Sequence, residues 1–279
     1  MSLEFTYDYS HSLDPAPKHL NDSHPRSFDP LRRLSEHRAG WALNLFQQAG
    51  EASGSFRGSA RPYLGKPRER TDQEITLAQE LSRLESGRRA RAQIRRYCAH
   101  NALNRLGTLT FKAKGCHDPR QLRIHLGAFF RELRQEVGRD FPYLWVPEWH
   151  ATHGLHVHFA VGRYINRSII EAAWPHGFVH LKLLGDLPHG SDNRDQARAA
   201  SWYLAKYVGK GFSDDRNLAG LHRYDIAQGF RPKPTKLFAP TLSEVLSIAV
   251  DRMGSPYDYF WDSNDQPDWG KPPAVYLSW

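Results

Sequence analysis

The feature that most constrains the fold is an ordered series of short periodic segments between Leu106 and Gly209. Alternating or β-branched and aromatic segments predict strands, whereas apolar residues three or four positions apart predict helices. The predicted strands are Leu106–Lys112, Phe141–Trp149, Gly154–Arg163 and Phe178–Leu184. The predicted helices are one between the cap residues Asp118 and Gly138, then Asn166–Trp174 and Arg194–Gly209.

This order of elements, β-α-β-β-α-β followed by a further helix, predicts an α+β fold. The pattern is that of a ferredoxin-like, RRM-like βαββαβ core with a central antiparallel sheet. The added C-terminal helix carries two tyrosines. We expect helices to cover one face of the sheet, which leaves the other face or an edge for a ligand.

The rest of the chain divides by composition. Residues 1–70 are rich in Pro, Ser, Gly, His and Arg and predict a flexible basic arm without a core. Residues 71–105 predict a basic helical segment that begins at a capping box, Thr71 and Glu74. Residues 106–240 form the central domain, and residues 241–279 predict a C-terminal helix and a coil-like tail.

Charge and composition narrow the possible partners and location. The 279 residues carry a net charge of +8, which favours an anionic partner such as nucleic acid. No apolar stretch approaches the roughly 20 residues that a membrane helix needs. The N-terminus lacks the pattern of a signal peptide, and the two cysteines lack metal-finger spacing. We therefore expect a cytoplasmic protein with no membrane association.

The basic helical segment is a candidate phosphate-binding surface. Between Arg83 and Arg105 it holds seven arginines and one acid. The candidate DNA contacts in it are Arg88, Arg89, Arg91, Arg95 and Arg96. The alternative is a solvated helix face, and a neighbouring nucleic-acid site would favour the phosphate-binding interpretation.

Two histidines on one strand form the first candidate for chemistry. His156 and His158 lie two residues apart, so they project from the same face, about 6–7 Å apart along the strand. Glu148 lies on the preceding strand, which should pair with theirs through a short loop. Together they predict a His₂Glu site for Mg²⁺ or Mn²⁺. His150 and His153, in the loop, are rival ligands.

Two tyrosines on the last predicted helix form the second candidate. Tyr203 and Tyr207 are four residues apart and share a helix face, with Lys206 and Lys210 beside them. A tyrosine that faces a metal site can act as a nucleophile, and the lysines can hold phosphates or stabilise charge. The alternative is that both tyrosines simply belong to the apolar stripe of an amphipathic helix.

Three motifs in a fixed order carry a resemblance to a known family. The segments GTLTFK, GLHVHFAV and YLAKYVGK follow the order of the three motifs of HUH endonucleases. The chain resembles rolling-circle replication initiators, in particular those of actinobacterial plasmids, phages and integrative elements. The resemblance covers roughly residues 85–240.

The resemblance implies a nicking domain at residues 106–240 that cuts and religates origin DNA. It implies that His156, His158 and Glu148 hold Mg²⁺ or Mn²⁺, and that Tyr203 or Tyr207 forms a 5′-phosphotyrosyl link. The expected DNA is a replication origin with a single-stranded or hairpin nick site. The sequence has no GxxxxGK[ST] motif, so we expect a host helicase and polymerase as partners.

Two other functional classes remain open from the sequence. One is a relaxase of conjugation or mobilisation, which shares the same chemistry but serves DNA transfer. The other is a non-catalytic nucleic-acid-binding module, in which aromatic residues and arginines bind nucleic acid and the histidines are structural.

Overall fold

The computed structural model describes residues 39–58, 70–113, 115–150, 153–182, 191–213, 223–267 and 269–279. Within them the chain forms ten β-strands and five α-helices. The strands are β1 (Gly40–Phe46), β2 (Glu51–Arg57), β3 (Arg105–Phe111), β4 (Tyr143–His150), β5 (Gly154–Val161), β6 (Gly177–Lys182), β7 (Asp225–Ile226), β8 (Thr235–Ala239), β9 (Tyr259–Asp262) and β10 (Ala274–Ser278). The helices are α1 (Asp72–His100), α2 (Pro119–Val137), α3 (Arg167–Ala172), α4 (Asn193–Ser213) and α5 (Leu242–Met253). Among the described residues, no helix has the length and apolar character that a bilayer crossing requires.

Capping residues set the ends of the helices, as the sequence predicts. At the start of α1, the Glu74 backbone N–H donates to the Thr71 hydroxyl and the Thr71 N–H donates to the Glu74 carboxylate. Asp118 caps α2, with Pro119 at its first position. Gly138 ends α2 with a φ of 73°, a conformation that a side chain would strain. The predicted capping box and both predicted caps of α2 are confirmed.

The predicted core corresponds to a five-stranded antiparallel sheet with the order β6-β3-β5-β4-β7. Its central strand, β5, pairs with β3 on one side and with β4 on the other. The α+β fold class is therefore confirmed, and the sheet is compatible with a ferredoxin-like core. The short strand β7 extends the sheet beyond β4.

Helices cover both faces of this sheet, so the expectation of one covered face is wrong. Helices α2 and α3 pack on the face that carries Val157 and Phe159. On the opposite face, α1 and α4 pack against Leu106, Val146 and Ala160. This second layer covers the face on which His158 lies.

A second antiparallel sheet, with the order β8-β1-β2-β10-β9, was not predicted. Its core contains Leu43, Leu45 and Leu277, packed against Val245 and Ala249 of α5. The structure thus differs from the expected flexible arm at residues 40–57 and from the expected coil-like tail at residues 259–278. Residues 1–38 and 59–69, the remainder of the predicted arm, lie outside the described residues.

Helix α1 and the second sheet are joined by a buried carboxylate. Glu51, at the start of β2, is only 2% exposed. Its carboxylate accepts a hydrogen bond of 2.9 Å from Arg95 and lies 3.3 Å from the Nε of Arg96. The two guanidinium groups also stack on the rings of Tyr276 and Phe46. These contacts fix the direction of α1 across the second sheet.

A second connection ties α4 to the same sheet. The guanidinium group of Arg198, in the first half of α4, donates hydrogen bonds to the backbone carbonyls of Gly50 and Trp279 at 3.1 and 2.7 Å. Gly50 ends the turn between β1 and β2, and Trp279 follows β10. The first half of α4 is therefore held against the ends of three strands.

We predict that Glu51→Gln destabilises the protein by about 3 kcal/mol, because it leaves two arginine charges without their buried partner. Urea unfolding, followed by circular dichroism, measures the change in the free energy of unfolding. The control is Glu136→Gln on the exposed side of α2, which should leave that free energy unchanged. Equal stability of the two variants would show that the Glu51 contacts contribute nothing.

Candidate active site

The register of β4, β5 and β3 brings the predicted metal ligands together. Glu148 lies opposite His156, and Val146 lies opposite His158. Because the side chains alternate between faces, Glu148 and both histidines share one face of the sheet. The carboxylate of Glu148 lies 2.8 Å from the Nε2 atom of His158. The sequence thus correctly paired the two strands that carry these residues.

Thr108 is a site residue that the sequence analysis missed. It lies on β3 directly opposite His158, and its hydroxyl is 3.0 Å from the Nδ1 atom of that histidine. His158 is only 5% exposed, so the imidazole is held between Thr108 and Glu148 in a water-poor setting. The alternation of Leu106 and Thr108 against Leu109 and Phe111 indicates the face of Thr108, but only the pairing of β3 with β5 indicates its partner.

The two predicted tyrosines lie against this buried imidazole. The ring of Tyr207 stacks on the ring of His158, with centroids 3.5 Å apart and planes 16° apart. The Tyr207 hydroxyl donates a hydrogen bond of 2.8 Å to the Tyr203 hydroxyl. The phenols therefore share one helix face, and that face is turned toward the histidine strand.

The environment of Tyr207 favours the neutral phenol. Burial is the largest cause that raises the pKa of the Tyr207 hydroxyl above its ordinary value. The hydrogen bond and electrostatic interaction with Tyr203, together with the negative charge of Glu148, raise this pKa further. A nearby positive charge is what would favour the phenolate instead.

The lysines differ in their relation to the tyrosines. The Nζ atom of Lys182, at the end of β6, lies 4.0 Å from the centre of the Tyr203 ring. Lys182 is a second residue that the sequence analysis missed, because the packing of α4 across the sheet, rather than any spacing in the sequence, brings it to Tyr203. Lys206 is exposed on α4. The side chain of Lys210 lies outside the described residues.

Three histidines, His150, His153 and His156, form a cluster at the end where a short loop joins β4 to β5. The His150 and His156 rings are stacked, with centroids 4.7 Å apart, and His153 lies 5.4 Å from His150. Burial is the main cause that lowers the pKa of His156, and the adjacent imidazoles lower it further. The neutral form of His156, which is the form that binds metals, is therefore favoured.

The donor chemistry of this site suits a divalent cation. The 2.8 Å between His158 Nε2 and the Glu148 carboxylate is a hydrogen-bond distance, and a cation held by both groups would replace this contact. Nδ1 of His158 would then carry the proton and donate a hydrogen bond to the Thr108 hydroxyl. Among the described residues, no group of three or more metal-binding side chains is already gathered around one point. His156 would therefore have to turn toward the pair to act as a third ligand.

The predicted DNA-binding arginines fall into two groups. Arg88, Arg89 and Arg91 are exposed on α1. Arg95 and Arg96 instead bind the buried Glu51. The structure gives these two a structural role, so we retain only the exposed three as candidate phosphate contacts.

The fold and site together define a sheet with a histidine pair, a carboxylate and a two-tyrosine helix packed across it. Residues 104–212 match the family model of the replication-associated protein ORF2, and the match runs from the residue before β3 into α4. This region, which is less than half of the chain, is thus similar to replication-associated proteins. The resemblance drawn from the sequence motifs is confirmed at the level of that family. The chain matches no curated protein and no solved structure at a significant level.

We predict that Thr108→Val lowers the free energy of unfolding by about 1 kcal/mol, because a buried His158 nitrogen loses its partner. Thr108→Ser keeps the hydroxyl and should recover most of this loss. Chemical denaturation of the three proteins under identical conditions measures the difference. If the serine variant is no more stable than the valine variant, the methyl group of Thr108 matters and the hydrogen bond does not.

Proposed function

We propose that this protein initiates rolling-circle DNA replication by nicking one strand of an origin and religating it later. The observation that carries the proposal is the stacking of the Tyr207 ring on the His158 ring. The imidazole of His158 also contacts the Glu148 carboxylate. All three residues lie inside the region that matches a replication-associated family. A phenol that lies against a candidate metal ligand is positioned to attack a phosphate held there. The family match supports DNA as the substrate.

The proposed reaction is a phosphoryl transfer to tyrosine. The phenolic oxygen forms a bond to phosphorus, and the bond between phosphorus and the 3′ oxygen breaks. The phenolic proton is lost to the medium, and the 3′ oxygen takes up a proton to become a free 3′-OH. The 5′-phosphotyrosyl link keeps the bond energy, so the same tyrosine can later return the strand.

The residues of this chain have separate tasks in that reaction. Glu148, His158 and His156 would hold a divalent cation, which supplies polarisation of a phosphate oxygen. Thr108 fixes the orientation of the His158 ring by its hydrogen bond to Nδ1. The low-dielectric surroundings of His158 strengthen each of these electrostatic contacts.

The two phenols suit a process with two transfers. Rolling-circle replication needs one cut to open the origin and another to release the regenerated strand. The Tyr203 and Tyr207 hydroxyls are 2.8 Å apart, so the phosphate position that serves one is close to the other. Lys182, whose Nζ lies 4.0 Å from the centre of the Tyr203 ring, offers a cation beside the second phenol.

We predict that Tyr207→Phe reduces the covalent protein–DNA adduct by at least about 100-fold, as loss of a nucleophile does. Tyr203→Phe should form the adduct but release closed circles poorly. The assay combines an origin-bearing supercoiled plasmid with mass-spectrometric mapping of the modified peptide. Tyr164→Phe, an exposed tyrosine outside the site, is the control and should behave like the wild type. An adduct formed by the Tyr203→Phe/Tyr207→Phe double variant would refute the mechanism.

A separate prediction concerns the cation. His158→Ala and Glu148→Gln should abolish nicking, as should EDTA with the wild type, while DNA affinity is retained because phosphate contacts supply most of it. Nicking is measured on supercoiled plasmid, and affinity is measured by gel shift. His125→Ala, on α2 and the other side of the sheet, is the matched control and should nick normally. Full activity in EDTA would disprove a metal-assisted reaction.

A further inference from the structure

A groove outside the candidate active site combines two tryptophans with a cluster of cations. It lies between α1 and the segment that follows β9, and its volume is about 720 Å³. We call it the tryptophan groove. It is lined by Trp261, Trp269, Arg88, Arg89, Glu85 and Lys271.

The two indoles in this groove are held at a fixed angle. Their rings lie 5.3 Å apart with planes 69° apart. The Trp269 Nε1–H donates a hydrogen bond of 2.9 Å to the backbone carbonyl of Pro272, which fixes its ring. Trp261 belongs to β9, an edge strand of the second sheet. Both rings are half-buried, so part of each indole is exposed in the groove, and the Nζ atom of Lys271 lies 6.0 Å from the centre of the Trp269 ring.

The charge of the groove is positive. Arg88 and Arg89 line one wall and are exposed, and Lys271 lines the other. Glu85 is the one acid among the six residues named above, and Lys271 forms an ion pair with it across the groove. Two arginine charges therefore remain in excess, beside two aromatic surfaces.

We propose that the tryptophan groove binds single-stranded DNA. An unpaired base stacks on an indole, and the flanking phosphates bind Arg88 and Arg89. Sequence-tolerant proteins bind single strands in this way, by aromatic stacking together with a cationic path for the backbone. In a duplex the base faces are already covered by neighbouring bases, so the groove selects unpaired DNA. The proposal rests on DNA being the substrate, as in the proposed function.

A second groove extends the row of cationic side chains toward the sheet that carries Glu148 and His158. It has a volume of about 470 Å³ and shares Arg89 with the tryptophan groove. Arg223 and Arg231 also line it, and it borders β7, which pairs with the Glu148-bearing strand β4. A single strand held by the tryptophans thus has a phosphate-binding path to the edge of that sheet. The groove would hold DNA that has been unwound beside the nick.

The test measures binding of the full-length protein in EDTA, so that it does not depend on nicking. The probes are a fluorescently labelled 15-nucleotide single strand and the duplex of the same sequence, followed by anisotropy. Trp261→Leu/Trp269→Leu should weaken single-strand binding about tenfold, the loss expected for one stacked base, and should leave duplex binding unchanged. The single variant Trp269→Phe leaves Trp261 unchanged and keeps an aromatic face at position 269. It should lose less single-strand affinity than the double leucine variant does. Tyr164→Leu is the control for loss of an exposed aromatic residue and should bind like the wild type.

Two further measurements do not depend on the stability of the tryptophan variants. Arg88→Gln/Arg89→Gln removes two exposed charges and should reduce the salt dependence of single-strand binding by about 1.4 log–log units. A single strand that contains 5-iododeoxyuridine should photo-crosslink to a peptide that carries Trp261 or Trp269. Unchanged single-strand affinity in folded tryptophan variants, equal losses for single strand and duplex, or crosslinks only elsewhere would each overturn the proposal. Absence of a tyrosine adduct would refute the nicking function but would not affect these results.

Discussion

The antiparallel pairing of β5 between β3 and β4 is the constraint on which the candidate site depends. It sets Thr108 on one side of His158 and Glu148 on the other. Side chains on a strand alternate between faces, so a shift of one residue in either pairing would turn one of these partners into the opposite core. The apolar residues between them, such as Val157 and Phe159, hold the register because they fill that core. The packing of one face thus determines the chemistry of the other.

The second helical layer, formed by α1 and α4, covers the sheet face that carries the candidate site. Helix α4 lays the half-buried ring of Tyr207 on His158, and His158 is itself buried. Removal from water strengthens electrostatic contacts, but it also makes an unpaired charge costly. The Glu148 carboxylate suits a bound cation, and it opposes a phenolate on Tyr207 when that cation is absent. Under the proposed mechanism, this arrangement links the acidity of the Tyr207 phenol to the binding of a cation at Glu148.

Local signals in the sequence predicted the core of this fold well. The caps at Thr71, Asp118 and Gly138 depend on neighbours within a few residues. The pairing of Glu148 with the histidine strand follows from a short connection, and the shared face of the tyrosines follows from helix geometry. The metal and nucleophile roles themselves remain predictions, since they concern chemistry rather than position.

Contacts between distant segments could not be predicted in the same way. The second sheet joins strands from residues 40–57 with strands from residues 235–278, and β2 has small and polar residues where a clear alternation would be needed. The sequence predicts phosphate contacts for Arg95 and Arg96 because it gives no sign of their partner, Glu51, which lies more than 40 residues before Arg95. Strand pairing brings Thr108 to His158, and helix packing brings Lys182 to Tyr203. Neither contact can be predicted from the residues that neighbour Thr108 or Lys182 in the sequence.

The attachment of α4 to the second sheet determines how the tyrosines are able to move. Arg198 holds its half of the helix to the carbonyls of Gly50 and Trp279, whereas Tyr207 lies nine residues further on, about 13 Å along the axis. The helix is therefore fixed near Arg198, and a tilt about this point moves Tyr207 more than it moves Arg198. A tilt of about 5° would displace the ring of Tyr207 by about 1 Å. A shift of this size is enough to change the alignment of an attacking oxygen with a phosphorus atom. The second sheet, which lies outside the candidate active site, would thus set the reach of the proposed nucleophile.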